Sequence, residues 1–241
     1  MTEACGPEFL IATLARLIEG ARHIAVGASS PIPCSAALLV RRRSRGATRV
    51  TVLGSRINNA FTDGGRELFD CAAQGRIDVF FLGGGQIDGE ANINLVGTGG
   101  YPRSSVRFPG SFGSAYLYFL VPRVILFREE HSRRVFVPKV EFISAPGWSP
   151  PEIYRPGGPA ALLTSLCLFG YDRARHRFVL ESIHPGHTIE EVRDQTGFAF
   201  DAPDTVPTTP EPDEATLALI AEVGREIAET YPQFAARLAA A

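Results

Sequence analysis

The stretch Phe80-Phe-Leu-Gly-Gly-Gly-Gln-Ile-Asp-Gly-Glu-Ala-Asn-Ile-Asn94 governs how the rest of the chain is read. The apolar run that leads into it, residues 77–82, has the length and composition of a strand buried on both faces of a sheet. Three glycines then end the run and admit backbone angles and close approaches that a Cβ forbids. Gln86, Asp88, Asn92 and Asn94 follow at once, side chains that hydrogen-bond polar partners or turn backbone. A buried strand ending in glycine and amides is how an open α/β sheet builds a ligand crevice at its carboxyl edge. The same residues would also serve a tight loop that stabilises itself, and the stretch taken by itself leaves both readings open.

Upstream, residues 8–20 carry apolar side chains at helical spacing, with Gly20 as the stop. Residues 23–27 form a short strand that empties into a small-residue turn, 28–33, and a helix from about Cys34 to Arg43. Strand, small-residue loop and helix make the first half of a βαβ unit. A strand at 49–53, a helix at 66–74 and the strand at 77–82 continue the alternation, which indicates a mostly parallel, doubly wound sheet.

Downstream come two glycine-containing turns, 97–102 and 108–113. A short helix at 114–120 and strands at 123–127 and 136–143 follow. The five prolines of 146–159 exclude regular structure there. Residues 161–169 and 177–183 read as two strands of a hairpin joined by the polar turn 170–176. Thr188 with Glu191 makes a capping box for a helix ending near Gln195. The proline-rich, acidic segment 201–213 is expected to be an extended linker to a C-terminal helix that starts at Asp213 or Thr216. The fold class expected is α/β, a three-layer α/β/α arrangement with a mostly parallel open sheet and a C-terminal helix, in one domain over residues 1–241.

The formal net charge of −2 gives no footprint for nucleic acid. Cys5, Cys34, Cys71 and Cys167 stand far apart with no CxxC pair, which argues against a metal site and for buried thiols in a reducing cytoplasm. Neither a signal peptide nor a membrane span is expected, because the start lacks a basic region and the apolar runs are short.

By this point four motifs stand in order. Gly85-Gln-Ile-Asp-Gly-Glu-Ala-Asn-Ile-Asn94 resembles the GQVDxxGNxN signature of the beta subunit of family I coenzyme A transferases, such as glutaconate CoA-transferase. Arg107-Phe-Pro-Gly-Ser-Phe-Gly-Ser114 is similar to that subunit's RxPGSGGA loop. Residues 182–198, with His-Pro-Gly, Glu-Glu-Val-Arg and Thr-Gly-Phe, look like its VHPGVTVEEVRxxTGF stretch, the most specific of the four. Gly27-Ala-Ser-Ser-Pro-Ile-Pro33 fits its first strand and loop. The resemblance implies an active site shared with an alpha subunit and chemistry on an acyl-CoA. It implies coenzyme A as cosubstrate, with no permanently bound cofactor. In the family a beta-subunit glutamate attacks the thioester, which is covalent catalysis by a carboxylate.

Here the chain departs. The family glutamate position falls on about Gly54 or Ser55, and no acid follows before Asp63. No catalytic residue is therefore assigned within this chain. A serine would need a base, and none stands nearby in sequence. Phe112 replaces a loop glycine, Ala91 a signature glycine, so the turn at 91 is expected to avoid positive φ. The steroid-degradation hydrolases of the same superfamily also lack the glutamate, and there an alpha-subunit acid assists ring opening; their loop arginine is Pro109 here. The residues expected to shape the CoA or acyl pocket are Gly83, Gly84, Gly85, Gln86, Asn92, Gly110 and Gly113, with backbone and amides poised for a developing oxyanion. His184 reads as a turn-capping imidazole before it reads as a catalyst. Arg41, Arg42, Arg43 and Arg45 read as a solvated helix face before a phosphate site. A non-catalytic partner of an alpha subunit is the alternative, and a sugar-phosphate isomerase or lactonase a remote third.

Overall fold

The structure, a computed structural model, describes residues 6–240, so Cys5 lies outside the described residues. In chain order the elements are α1 (Pro7–Ile18), β1 (His23–Val26), α2 (Pro31–Arg43), β2 (Arg49–Val52), α3 (Gly64–Ala73) and β3 (Val79–Leu82). Four two-residue strands follow: β4 (Gln86–Ile87), β5 (Ile93–Asn94), β6 (Gly97–Thr98) and β7 (Val106–Arg107). Then come α4 (Ser114–Leu120), β8 (Arg123–Phe127), β9 (Pro159–Leu163), β10 (Cys167–Asp172), β11 (Arg177–Ile183), α5 (Ile189–Gln195), α6 (Glu214–Ile227) and α7 (Pro232–Ala240). Contacts divide the chain into two compact units, one of residues 6–81 with 210–240 and one of residues 82–209. Among the described residues no helix is long and apolar enough to cross a membrane.

In the first unit, β1 pairs in parallel with β2 on one side and β3 on the other. The chain moves from β1 to β2 through α2, then back past β1 to β3 through α3. Right-handed crossovers in opposite directions put α2 and α3 on opposite faces of these strands, the doubly wound arrangement expected from the alternation. All four residues of β1 are buried, as a strand covered on both faces requires. Helix α2 is buried from Ile32 to Val40 and packs on α1 and α6. It starts at Pro31 rather than near Cys34, because a proline suits the first helical turn, where no N–H is needed. The Cys34 N–H already bonds the Ser30 carbonyl at 2.9 Å. The alanine-rich end of the chain is α7, packed on α6.

In the second unit, β8 and β9 are parallel while β9, β10 and β11 are antiparallel. The stretch 161–169, expected as one strand, is parts of two. Thr164 turns the chain: its Oγ1 accepts from the N–H groups of Leu166 and Cys167 at 3.2 Å each, and its own N–H bonds the Cys167 carbonyl. A hydroxyl that satisfies backbone donors locally competes with a ladder, and here it splits the strand. Residues 136–143 form no strand beyond a bridge between Phe136 and Ile87. Pro138 lacks a donor, and the N–H groups of Val140 and Glu141 go to the side chains of Asp88 and Gln86. The segment 201–213 is no free linker over its first half, since Asp201 and Thr208 bridge to Val179 and Ile183 of β11. Half of the capping box forms: the Thr188 side chain accepts from the Glu191 N–H, while the Glu191 carboxylate bonds His187 Nδ1 at 2.9 Å.

Candidate functional site

The signature 85–94 folds into a small hairpin in which Gln86 faces Asn94 and Ile87 faces Ile93. Its amides are spent within the hairpin and on residues 141 and 147 of the segment that packs against it. Asn94 Nδ2 donates to Gln86 Oε1 at 2.8 Å, Gln86 Nε2 donates to Glu141 at 3.0 Å, and Asn92 Oδ1 accepts from the Gly147 N–H at 3.1 Å. Asp88 accepts from the N–H groups of Glu90, Asn92 and Val140 and from Asn92 Nδ2. Burial pushes its carboxyl above the ordinary value, against the pull of those bonds. Asp88 thus fixes the turn, as its signature position suggested, and Glu90 is exposed.

The glycines are explained by closeness. A Cβ on Gly83 would come to 3.0 Å from the Phe127 carbonyl, one on Gly84 to 2.7 Å from the Gln86 carbonyl, and one on Gly85 to 2.3 Å from the Phe108 ring. Ala91 corrects an expectation: it sits at φ +60°. It stays left-handed because the turn closes there, with its N–H on the Asp88 carbonyl and its carbonyl accepting from the buried Tyr118 hydroxyl at 2.9 Å. Gly110 and Gly113 have φ of +114° and +68°, and the Gly110 N–H bonds the Leu95 carbonyl. Phe112, between them, is exposed. Asn92 lines a cavity of about 620 Å³ together with Asp88, Glu90, Lys139, Arg175 and Arg177, walls of both signs that suit a polar ligand.

His184 is buried, its Nδ1 at 2.9 Å from Thr209 Oγ1 and its Nε2 at 3.0 Å from the Thr164 carbonyl. It has the structural, backbone-capping place that its Pro-Gly context suggested. Of the four arginines, Arg45 is exposed, but the other three are half-buried and paired rather than a solvated face. Arg41 and Arg42 pair with Glu226, Arg42 also with Glu222, and Arg43 bonds Thr216 and Glu19. Their partners stand on α6 and just beyond α1, too far along the chain for local pattern to show.

In the first unit, the loops just beyond β1 and β2, with Ala28-Ser29 and Leu53-Gly54, line a cavity of about 700 Å³ with Thr230 and Tyr231 of the α6–α7 turn and Phe234 of α7. Carboxyl ends of parallel strands are where open α/β sheets take ligands. Two ties hold the turn there. The Tyr231 hydroxyl accepts from the Ser30 N–H at 3.4 Å, and the Glu229 carboxylate accepts from Ser55 Oγ and the Arg56 N–H at 3.2 Å each. The Thr230 hydroxyl above all, and then these two donors, hold Glu229 below the usual carboxylate value. Sequence reasoning missed this acid. It lies 174 residues from Ser55, and no spacing rule spans that distance.

Residues 3–195 match the family model described as coenzyme A transferase. The beta-type subunit of the 3-oxoadipate CoA-transferase of Pseudomonas knackmussii is 34% identical over 165 residues, 66% of this chain and 63% of that protein. The cholesterol ring-cleaving hydrolase IpdB subunit of Rhodococcus jostii is 29% identical over 175 residues, again 66% of this chain and 63% of that one. The match therefore spans less than two thirds of the length of these curated relatives. The solved structure of Rhodococcus jostii RHA1 IpdAB superposes with a TM-score of 0.80 at 25% identity, covering 92% of this chain and 94% of that one. The resemblance and the α/β class read from the motifs are both borne out.

Proposed function

Because the chain belongs to the coenzyme A transferase family, we propose that it is the beta subunit of a heteromeric enzyme acting on an acyl-CoA thioester. Coenzyme A is the cosubstrate in this reading, and an alpha subunit completes the active site. Hydrolysis or ring opening, assisted by an acid of the alpha subunit, is favoured over CoA exchange. One observation carries that preference: the backbone after β2 reads Leu53-Gly-Ser-Arg56, where the family's resemblance places its attacking glutamate. Of the two positions, Gly54 and Ser55, Gly54 has φ +86°, a conformation in which a long side chain would be strained, which favours Ser55 as the equivalent place. Ser55 itself is buried and its Oγ accepts from the Asn58 N–H, which disfavours it as a nucleophile even though Oγ also donates to Glu229. The similarity to a relative named as a ring-cleaving hydrolase supports the same preference.

In this reading Gly83, Gly84, Gly85, Gln86 and Asn92 make rigid the turn that borders the pocket, while Gly110 and Gly113 shape it. Water exclusion and fixed dipoles at the thioester oxygen would supply the stabilisation of the developing charge. The test is to co-express the chain with an alpha-type partner and to follow release of the CoA thiol from a panel of acyl-CoAs. Release without transfer to an added carboxylic acid acceptor is expected. A co-purified pair that neither binds CoA nor releases it would leave the reading without support and favour a non-catalytic partner.

A further inference from the structure

The loop after β2 lacks a carboxylate of its own, yet a carboxylate lies there. Glu229, at the C-terminal side of α6, receives hydrogen bonds from Ser55 Oγ and from the Arg56 N–H, both 3.2 Å long. A serine Oγ at that distance puts the Glu229 carboxylate within the reach of a glutamate side chain rooted at position 55. The residues on either side of the contact, Gly54 and Thr230, line the 700 Å³ cavity at the strand ends. Glu229 is exposed and stands next to the cavity wall in sequence, whereas Ser55 is buried. Its anchoring is redundant: Thr230 Oγ1 also donates to it, and α6 is tied to α2 and to the β2 loop by Glu226, which takes Arg41, Arg42 and Asn58 Nδ2.

We propose that Glu229 supplies, from the far end of the chain, the carboxylate that position 55 lacks, and that it is the general base of an acyl-CoA hydrolysis. The proposal rests on the acyl-CoA reading above. In the step, a water molecule gives a proton to Glu229 as its oxygen bonds to the thioester carbonyl carbon. The carbon–sulfur bond then breaks, the CoA thiolate leaves and takes the proton back, and the products are a free acid and CoA thiol. An acid of the alpha subunit acts beside this base and does not replace it. The three donors fix the acceptor oxygen before substrate arrives and, by holding the carboxyl below its usual value, keep it ionised to receive a proton, at some cost in basicity.

The test uses the complex of this chain with its alpha partner and reads CoA thiol release. Glu229→Gln keeps the size and an acceptor oxygen but removes the base, and kcat should fall by roughly 10²–10⁴-fold with KM little changed. Ser55→Ala leaves the Arg56 and Thr230 donors on the carboxylate and should cost less than about tenfold, the worth of one hydrogen bond. The decisive variant is Ser55→Glu combined with Glu229→Gln, which returns a carboxylate to the same place from the β2 loop and should recover at least tenfold of the loss, on the order of what a positioned base contributes. A merely structural role for Glu229 predicts no such recovery. Full activity in Glu229→Gln overturns the assignment and leaves the family reading intact. So does a loss in Ser55→Ala as deep as that in Glu229→Gln, which would make Ser55 the nucleophile. A wild-type complex that neither binds nor cleaves any acyl-CoA removes both. Complex formation and melting temperature of each variant, measured alongside, separate misfolding from lost chemistry.

Discussion

His131 shows how far one buried side chain can commit the surrounding chain. Its Nδ1 lies 2.8 Å from Thr164 Oγ1 and its Nε2 2.9 Å from Thr196 Oγ1. The Thr196 hydroxyl gives its own proton to the Val192 carbonyl, so Nε2 carries a ring hydrogen toward Thr196. Burial, with His184 and His187 nearby, drives the imidazole down to about 3. The consequence for stability has a definite sign. A histidine held neutral in the fold keeps its contribution above the unfolded value near 6.5 and loses it as pH falls from there toward about 3. Urea unfolding between pH 7.5 and pH 4.5 should therefore show a slope from this group of up to about 1.4 kcal/mol per pH unit. His131→Asn should be less stable at neutral pH but lose less on acidification; equal slopes in the two proteins would sink the account. The same network holds Thr209, which bonds Ser182 Oγ at 2.6 Å and His184. Thr209→Val should cost about 1–3 kcal/mol, as expected when buried polar atoms lose their partner. None of this is visible in the residue pattern. A threonine–histidine pairing made by residues dozens of positions apart leaves no local trace, whereas Asp88, whose partners Glu90 and Asn92 are neighbours in sequence, is legible as a turn-fixing acid.

Among the elements, α2 carries the clearest energetic claims, because it is fixed at both ends by different physics. At its C-terminus Arg45 sits at φ +52°, with its N–H on the Arg42 carbonyl and the Gly46 N–H on the Arg41 carbonyl. This is the paired hydrogen bonding of a Schellman stop, with an arginine where glycine is favoured. Arg45→Gly relieves the left-handed strain and should raise stability by about 0.5–1 kcal/mol, read as a higher urea midpoint at unchanged slope. On its flank, Arg41 and Arg42 share Glu226 of α6, whose side chain is 17% exposed. Removing that acid leaves two half-buried guanidinium groups without it, so Glu226→Ala should cost roughly 1–3 kcal/mol. A double-mutant cycle with Arg41→Ala should give a coupling of about 1 kcal/mol, and additivity would refute the tie. Elements whose cause is local are legible in advance: β8 and α4 have the expected bounds, and α5 begins at its capping threonine. Expectation fails where a distant side chain intervenes. Asp88 and Gln86 take the amides that a strand over 136–143 would have needed, and Thr164 cuts another strand in two. For the site, the motifs give the family, while the arrival of Glu229 beside Ser55 depends on α6 packing and is beyond any reading of spacing.

At the scale of the whole chain, the first unit is assembled from its two distant ends. Helix α6 lays Ile220, Val223 and Ile227, all essentially inaccessible, onto a body formed by residues that precede it by well over a hundred positions. Each such side chain stabilises by roughly 1.5–3 kcal/mol when removed from water. Three of them, with the Glu226 ties, are comparable to the entire margin of about 5–15 kcal/mol by which a domain is folded. The segment leading to α6 is not slack either, since the N–H groups of Leu180, Ile183 and Thr209 close hydrogen bonds between 201–209 and β11 at 2.7–3.0 Å. Ending the chain after Thr209 would keep those bonds and remove all of α6 and α7. Hydrogen exchange on such a truncated chain should then show amides of α1, β1, α2 and β2 exchanging far faster than in the full chain. Amides of β10 and β11, whose partners lie within residues 159–209, should keep most of their protection. If residues 6–81 stay as protected in the truncated chain as in the full one, the C-terminal helices are an appendage, and the ties to Arg41, Arg42 and Ser55 contribute little to holding the strand ends in place.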